Sequence, residues 1–335
     1  MIMKDKKYRN RWYASVSFCL LLSLVSCKQR DDYPVFEQKE PVVTVPEIIP
    51  PDNEIGALVK KIMNKTDIIS IFKLDSTTTL TNGIKRTHVR YVNKLNQAMS
   101  MQILEVDLSK TNIGVTALSP FDDYLFTVQT LGDMAKYNEG RAGGKIIAAI
   151  NGDVVTSSAP TGSFVFKSRQ LKTATTTATS NTRPFLGVKK DGSVFVGNKP
   201  SASSPMDAYN LNDLASLVSG GTWLLYKGAA VTSTVTTVQA NTAVGLNADR
   251  NYLYAVVVDG GTNAFSVGIT YNDLGKIMES IGSSDAFVTN GGTASVMVQR
   301  IENEGETGAL GWKVVNRPVA AAGGSSANGI GFVLK

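Results

Sequence analysis

The sequence predicts an α+β domain built on a mixed or antiparallel sheet with a few flanking helices. Three observations carry that expectation. Alternating or wholly apolar β-branched runs recur from residue 86 to the end of the chain, whereas helical spacing of apolar residues appears in only a few places. Once an N-terminal processing segment is set aside, roughly 250 residues remain for this mixture, which suits one domain with its own core, with two sub-lobes as the alternative.

The N-terminus reads as a lipoprotein signal over residues 1–26. Lys4, Lys6, Lys7, Arg9 and Arg11 precede an apolar stretch at 14–25 that is too short to span a bilayer stably. Leu24-Val25-Ser26-Cys27 has the small-residue-then-cysteine pattern of a bacterial lipobox, so Cys27 is the expected lipidation site and new first residue. Residues 27–52 then carry Pro34, Pro41, Pro46, Pro50 and Pro51 among charged and β-branched residues, a composition that favours an extended stalk. The run Lys28-Gln29-Arg30-Asp31-Asp32 fits outer-membrane sorting or surface display, and the expected partner at this end is the membrane, through the lipid on Cys27.

Processing also changes what composition implies. Removing five basic residues and Asp5 from a net charge of +6 leaves +2, so there is no basic field of the kind that nucleic acid requires. Cys19 leaves with the signal and Cys27 is taken by lipid, which excludes a disulfide, a thiol nucleophile or a thiolate metal site. His88 is the one histidine, which argues against a His-ligated zinc site, and as a lone strand histidine it reads as structural rather than as part of a serine triad.

Taken in order, residues 53–85 form an N-terminal extension. Asp52-Asn53 caps a short helical pattern (Ile55, Leu58, Val59, Ile62, Met63), and 68–74 is a strand or the end of a helical hairpin. The main domain, 86–335, is expected to place strands at 87–92, 101–108, 113–118, 145–150, 163–167, 185–188, 193–196, 223–226, 252–258, 285–289, 295–299 and 331–334. Helices are expected at 130–137, at 211–218 (Leu211, Leu214, Ala215, Val218) and at 270–281, the last opening on a Thr270-x-x-Asp273 start that resembles a capping box. The threonine-rich stretches at 173–180 and 232–237 read as surface strands or loops.

Three apolar strands stop abruptly at a polar residue beside glycine. They are Ile146-Ile147-Ala148-Ala149-Ile150-Asn151-Gly152-Asp153, Tyr254-Ala255-Val256-Val257-Val258-Asp259-Gly260-Gly261 and Ala286-Phe287-Val288-Thr289-Asn290-Gly291-Gly292-Thr293. A buried strand delivers its terminal polar side chain to the domain edge, and glycine lets a ligand or a second backbone come close. Three such ends on one edge make a pocket floor, although Asn-Gly and Asp-Gly are also ordinary turn formers.

These segments occur in the order found in the phosphodiester glycosidases, which the chain resembles over most of 86–335. The pieces are Ala149-Ile150-Asn151-Gly152-Asp153, Pro160-Thr161-Gly162, Ser219-Gly220-Gly221-Thr222-Trp223-Leu224, Thr242-Ala243-Val244-Gly245-Leu246, Val257-Val258-Asp259-Gly260, Gly268-Ile269-Thr270 before a helix with Leu274, and Asn290-Gly291-Gly292-Thr293-Ala294-Ser295-Val296-Met297. The resemblance implies a phosphodiester glycosidase-like fold and hydrolysis of a sugar-1-phosphodiester, with a carbohydrate or glycan phosphodiester as partner. On that reading Asp153 and Asp259 are the catalytic acid and base. Asn151, Gly152, Asn241, Gly260, Asn290, Gly291, Gly292, Thr293 and Ser295 bind substrate.

The chain departs from the family pattern where phosphate and proton chemistry demand charge. Asn241 and Gly261 stand where the pattern has arginines, Asn290 replaces an acid, Thr293 and Ala294 replace a glycine and a serine, and Gly324-Ser325-Ser326-Ala327-Asn328 lacks a further arginine. Asparagine does not transfer a proton as a carboxylate does, and neither Gly nor Asn clamps phosphate bidentately. Backbone N–H groups of Gly291-Gly292-Thr293 remain as an anion nest, and Arg183 and Arg317 are available from loops. Two readings follow: a hydrolase acting on an envelope or host glycan, and a surface lipoprotein of the same fold that captures glycans without turnover. No cofactor is expected; strand-end Asp and Asn oxygens are calcium-type ligands, but no EF-hand-like spacing supports that ion.

Overall fold

The computed structural model describes residues 55–139, 143–173, 183–198, 211–262, 264–301, 311–320 and 324–335. The signal, Cys27, the proline-rich stalk and residues 174–180 lie outside the described residues, and the helix expected to be capped by Asp52-Asn53 starts later, at Ala57, with Gly56 as its N-cap and no side-chain capping bond.

Strands dominate, as the recurrent β-branched runs require. The first group is β1 (Ile71–Thr81), β2 (Ile84–Val92), β3 (Ala98–Asp107), β4 (Ile113–Leu118), β5 (Lys145–Asn151), β6 (Val155–Thr156) and β7 (Ala159–Pro160). Next come β8 (Phe164–Phe166), β9 (Arg169–Lys172), β10 (Phe185–Lys189), β11 (Val194–Gly197), β12 (Leu214–Ser219), β13 (Thr222–Tyr226) and β14 (Ala229–Ala230). The chain ends with β15 (Asn241–Leu246), β16 (Tyr252–Val258), β17 (Asp285–Gly291), β18 (Met297–Arg300), β19 (Trp312–Val314) and β20 (Gly329–Leu334). Among the described residues three α-helices accompany them: α1 (Ala57–Lys65), α2 (Leu131–Asn138) and α3 (Tyr271–Ile281).

The strands pair antiparallel into an eight-stranded sheet, β1-β2-β3-β16-β15-β17-β13-β14, and two five-stranded sheets, β19-β18-β5-β20-β4 and β11-β10-β12-β8-β9. Side-chain alternation sets the layers. On β16, Tyr254, Val256 and Val258 face the helices α1 and α3, while Leu253, Ala255 and Val257 face the five-stranded sheets. Both faces are therefore buried, and the strand reads as a continuous apolar run. Helix α2 covers the outer face of β18-β5-β20-β4 through Leu131, Met134 and Ala135.

The expected helices at 130–137 and 270–281 form, each capped by a threonine, Thr130 and Thr270, whose Oγ accepts from the N–H of Asp133 and Asp273. The third, expected over 211–218, does not: after one short turn at Leu211–Asp213 the chain enters β12. Leu214, Leu217 and Val218 are spaced as on a helix because β12 lies between β10 and β8 and is buried on both faces, which removes the alternation a half-exposed strand shows. The segment expected as an extension contributes β1 to the main sheet and α1 to the core on one of its faces, and β2 runs across the 85/86 boundary. Residues 241–246, read as a motif without a strand assignment, form β15 at the centre of that sheet.

Phe287 sits fully buried on β17, in the core between the eight-stranded sheet and its neighbours. Phe287→Ala is expected to lower stability by about 3–5 kcal/mol, through lost transfer energy and the cavity left behind. Chemical denaturation with an unchanged m-value is the measurement.

Candidate functional site

The three glycine-bounded strand ends meet at one edge. β15 pairs with β16 on one side and β17 on the other, with Asn241 opposite both Val258 and Gly291. Asp259 and the Asn290-Gly291-Gly292 turn thus emerge beside the start of β15. The end of β5 joins them from the neighbouring sheet: Asn151 Oδ1 accepts from Thr242 Oγ1 at 2.7 Å and from Val296 N at 3.0 Å. Asn151, Asp153, Asn241 and Asp259 are all buried.

Asp153 is held by its surroundings. Its carboxylate forms an ion pair with Arg183 and accepts from Val154 N at 2.7 Å and Gly162 N at 2.5 Å, while its own N–H donates to Asn328 Oδ1 at 2.8 Å. Burial pushes its pKa up, against the pull of Arg183 and the two N–H groups. Arg183, a loop arginine in the sequence, is thereby committed to Asp153.

Asp259 has a different shell. Oδ2 accepts from Ser100 Oγ at 2.8 Å, and Oδ1 accepts from Asn316 Nδ2 at 3.0 Å and Arg317 N at 2.8 Å. Ser100 Oγ spends its proton on Asp259 and lies 3.2 Å from His88 Nε2, so the imidazole donates into the same chain of hydrogen bonds. Burial raises the Asp259 pKa above the ordinary aspartate range, opposed by the Asn316, Ser100 and Arg317 interactions. Burial, with Arg86 and Arg90 on either side, lowers that of His88.

The remaining expected residues divide by what they touch. Asn241 Nδ2 donates to Ile269 O at 2.9 Å and Gln239 O at 3.3 Å, so this amide stitches backbone together. Asn290 Oδ1 accepts from Gly291 N at 2.8 Å, turning the side chain onto its own turn. Gly292 N donates to Ala240 O, Gly260 lies against the Ala240 backbone and Gly152 against Asn328. Thr293 is exposed. Ser295 is fully buried, its carbonyl accepts from Asn316 Nδ2 at 3.2 Å, and its hydroxyl has no hydrogen-bond partner among the described residues. The buried Asn328 Nδ2 is likewise unpartnered there. Among the described residues no three His, Cys, Asp or Glu side chains converge to hold a metal ion.

Two neutral positions in the pattern have a backbone cause. Gly261 adopts φ +84° and Gly324 φ +63°, a region that side-chain-bearing residues rarely enter, and a Cβ at Gly324 would stand 2.6 Å from Thr293 O. An arginine at either place would strain this backbone.

A phosphodiester glycosidase family model matches residues 144–333, from just before β5 into β20. The chain belongs to the phosphodiester glycosidase family. Solved structures agree on the fold. The chain is similar to the catalytic domain of zebrafish N-acetylglucosamine-1-phosphodiester alpha-N-acetylglucosaminidase, auto-inhibited by its pro-peptide, with TM-score 0.55 and 16% identity over 77% of this chain and 87% of that one. It is similar also to a hypothetical protein from Synechocystis, with TM-score 0.53 and 11% identity over 78% of this chain and 64% of that one. No curated protein matches it by sequence. Within this family member, the sequence reading missed Ser100, Asn316 and Thr242 as side chains around the candidate site. A polar Ser100 between Met99 and Met101 in a buried strand was the available signal.

The two aspartates are expected to respond differently to the same isosteric change. Asp259→Asn turns an amide toward Ser100, whose hydroxyl can accept instead of donate and pass its proton to His88. Asp153→Asn has no such partner, because Arg183 and two backbone N–H groups all donate. Denaturation midpoints are expected to show Asp153→Asn losing about 3 kcal/mol and Asp259→Asn losing far less.

Proposed function

We propose that this protein hydrolyses a sugar-1-phosphodiester, releasing free sugar and a phosphomonoester, with Asp259 as the carboxylate that moves the proton. The observation that carries the reading is the Asp259 shell: a buried carboxylate with a raised pKa, held by three donors, at an edge where three strand ends and a glycine turn meet. All three groups donate toward it, which suits the ionised form, and a base needs that form to activate water. Asp153, engaged by Arg183, holds β5 against the 160–162 loop and acts by positioning.

The hydroxyl of Ser295 and the amide of Asn328, both without a partner among the described residues, support the reading as donors near the end of β5, whereas the N–H groups of Gly291 and Gly292 are spent on Asn290 Oδ1 and Ala240 O and form no anion nest. A lipid on Cys27 would place the domain on the cell envelope, in the outer membrane, where glycan phosphodiesters of envelope or host are the substrates at hand; the N-terminal sequence pattern supports this placement. One observation favours the second reading, capture without turnover: Asn290 occupies an acid position and spends its amide on its own turn.

The mature domain incubated with an N-acetylglucosamine-phospho-mannose diester decides between them. Turnover is expected, and Asp259→Asn is expected to reduce kcat by about a hundredfold or more. Because the working form is the carboxylate and its pKa is raised, activity is expected to fall with falling pH earlier than an ordinary aspartate would cause. No turnover over long incubation, with calorimetric binding of the same glycan, would establish capture instead.

A further inference from the structure

Three arginines and the histidine gather beside Asp259: Arg86, His88 and Arg90 from β2, which precedes the residues the family model matches, and Arg317 from a loop within them. Arg86, His88 and Arg90 alternate onto one face of β2, each half-buried, and Arg90 lies opposite Ser100 on β3. Arg317 arrives from the loop after β19, anchored by its own N–H on Asp259 Oδ1. The Arg90 and Arg317 guanidiniums both rest on the Phe265 ring, 4.5 and 4.8 Å from its centre.

The one carboxylate beside this concentration of charge, Asp259, offsets it only in part. Among the described residues, no carboxylate forms an ion pair with Arg86, Arg90 or Arg317. Arg86 donates from Nη1 to Gln102 Oε1 at 3.0 Å, while its Nε is buried and unpartnered. A cation–π contact steadies a guanidinium but leaves its five N–H donors largely unspent. Arg86 and Arg90 are half-buried and of like charge, so they repel, while Arg317 is exposed with its guanidinium on the same ring as Arg90; an anion entering between them offsets that repulsion.

We propose that Arg90 and Arg317, fixed by Phe265, receive the phosphate group of an anionic sugar ligand, with Arg86 and His88 extending the positive field. This rests on the hydrolytic reading and deepens it: the positive charge absent at Asn241, Gly261 and Gly324 is delivered from β2 and the loop after β19. Guanidinium forks match phosphate oxygens in pairs, so the site takes phosphomonoesters and phosphodiesters in preference to neutral glycans.

Calorimetric titration of the mature chain with inorganic phosphate and with glucose 1-phosphate tests the site. Saturable binding is expected, weakened about tenfold to a hundredfold in Arg90→Gln and in Arg317→Gln and partly recovered in Arg90→Lys, which keeps a cation on the ring. Affinity unchanged from the parent chain in both glutamine variants, or no saturable binding by the parent chain, overturns the proposal. If this binding pattern holds while the diester is not turned over, the phosphate site stands and the hydrolytic reading falls. If the diester is turned over with unchanged KM in both glutamine variants, hydrolysis stands and the phosphate site falls.

Discussion

The side-chain oxygen of Asn151 accepts hydrogen bonds from Thr242 Oγ1 in one sheet and from the Val296 backbone, at the start of β18, with no solvent exposure. In so dry a seam an unpaired polar atom costs roughly 1–3 kcal/mol, so the oxygen can be buried only if all three chain segments arrive in register. The rest of the edge follows from that meeting. Thr242 fixes the start of β15, β15 fixes the facing ends of β16 and β17, and Val296 fixes the exit of the 292–295 turn beside Asn316. One amide thereby sets where Asp259, the glycine turn and Ser295 stand relative to one another.

Within that frame the two aspartates differ in their donors rather than in their burial. Rigid donors alone surround Asp153: a guanidinium and two backbone N–H groups fixed by β5 and the 160–162 loop. Such a shell offers no group that can reverse its hydrogen bond to the carboxylate. Asp259 has a hydroxyl among its donors, and that hydroxyl has an imidazole behind it. Hydroxyl and imidazole can each reverse the direction of a hydrogen bond, so this shell can follow a change in proton position without moving heavy atoms.

Much of the fold was legible in the sequence, and the exceptions share a cause. Strands with one exposed face, such as β2 with its Thr87-Val89-Tyr91 alternation, announce themselves. Strand β12 does not, because burial on both faces erases the period and leaves Leu214, Leu217 and Val218 in helical spacing. The site was legible as strand ends, since an apolar run that stops at Asn-Gly or Asp-Gly marks a domain edge. The roles were not. Asn241 and Asn290 look like ligand-facing amides until their partners prove to be Ile269 O and Gly291 N. Ser100 was hidden for the opposite reason: its importance lies in Asp259, which is 159 positions away and reaches it only through strand pairing.

The same pairing explains why charge counted along the motifs understates charge at the edge. A motif reports only the strand it sits on, whereas an electrostatic field sums over every strand that reaches the same place. Strand β3 pairs with β16 on one side and β2 on the other, so Arg90 stands next to Ser100 and within one strand of Asp259 although their sequence neighbourhoods share nothing. The left-handed backbone at Gly261 bars a side chain there without strain, yet the loop after β19 passes so close that a Cβ at Gly261 would stand 3.2 Å from Val319, and it brings Arg317 with it. A sheet edge can thus keep its positive field while the positions that supply it move, because the field depends on where cations stand and the backbone dictates only where they cannot.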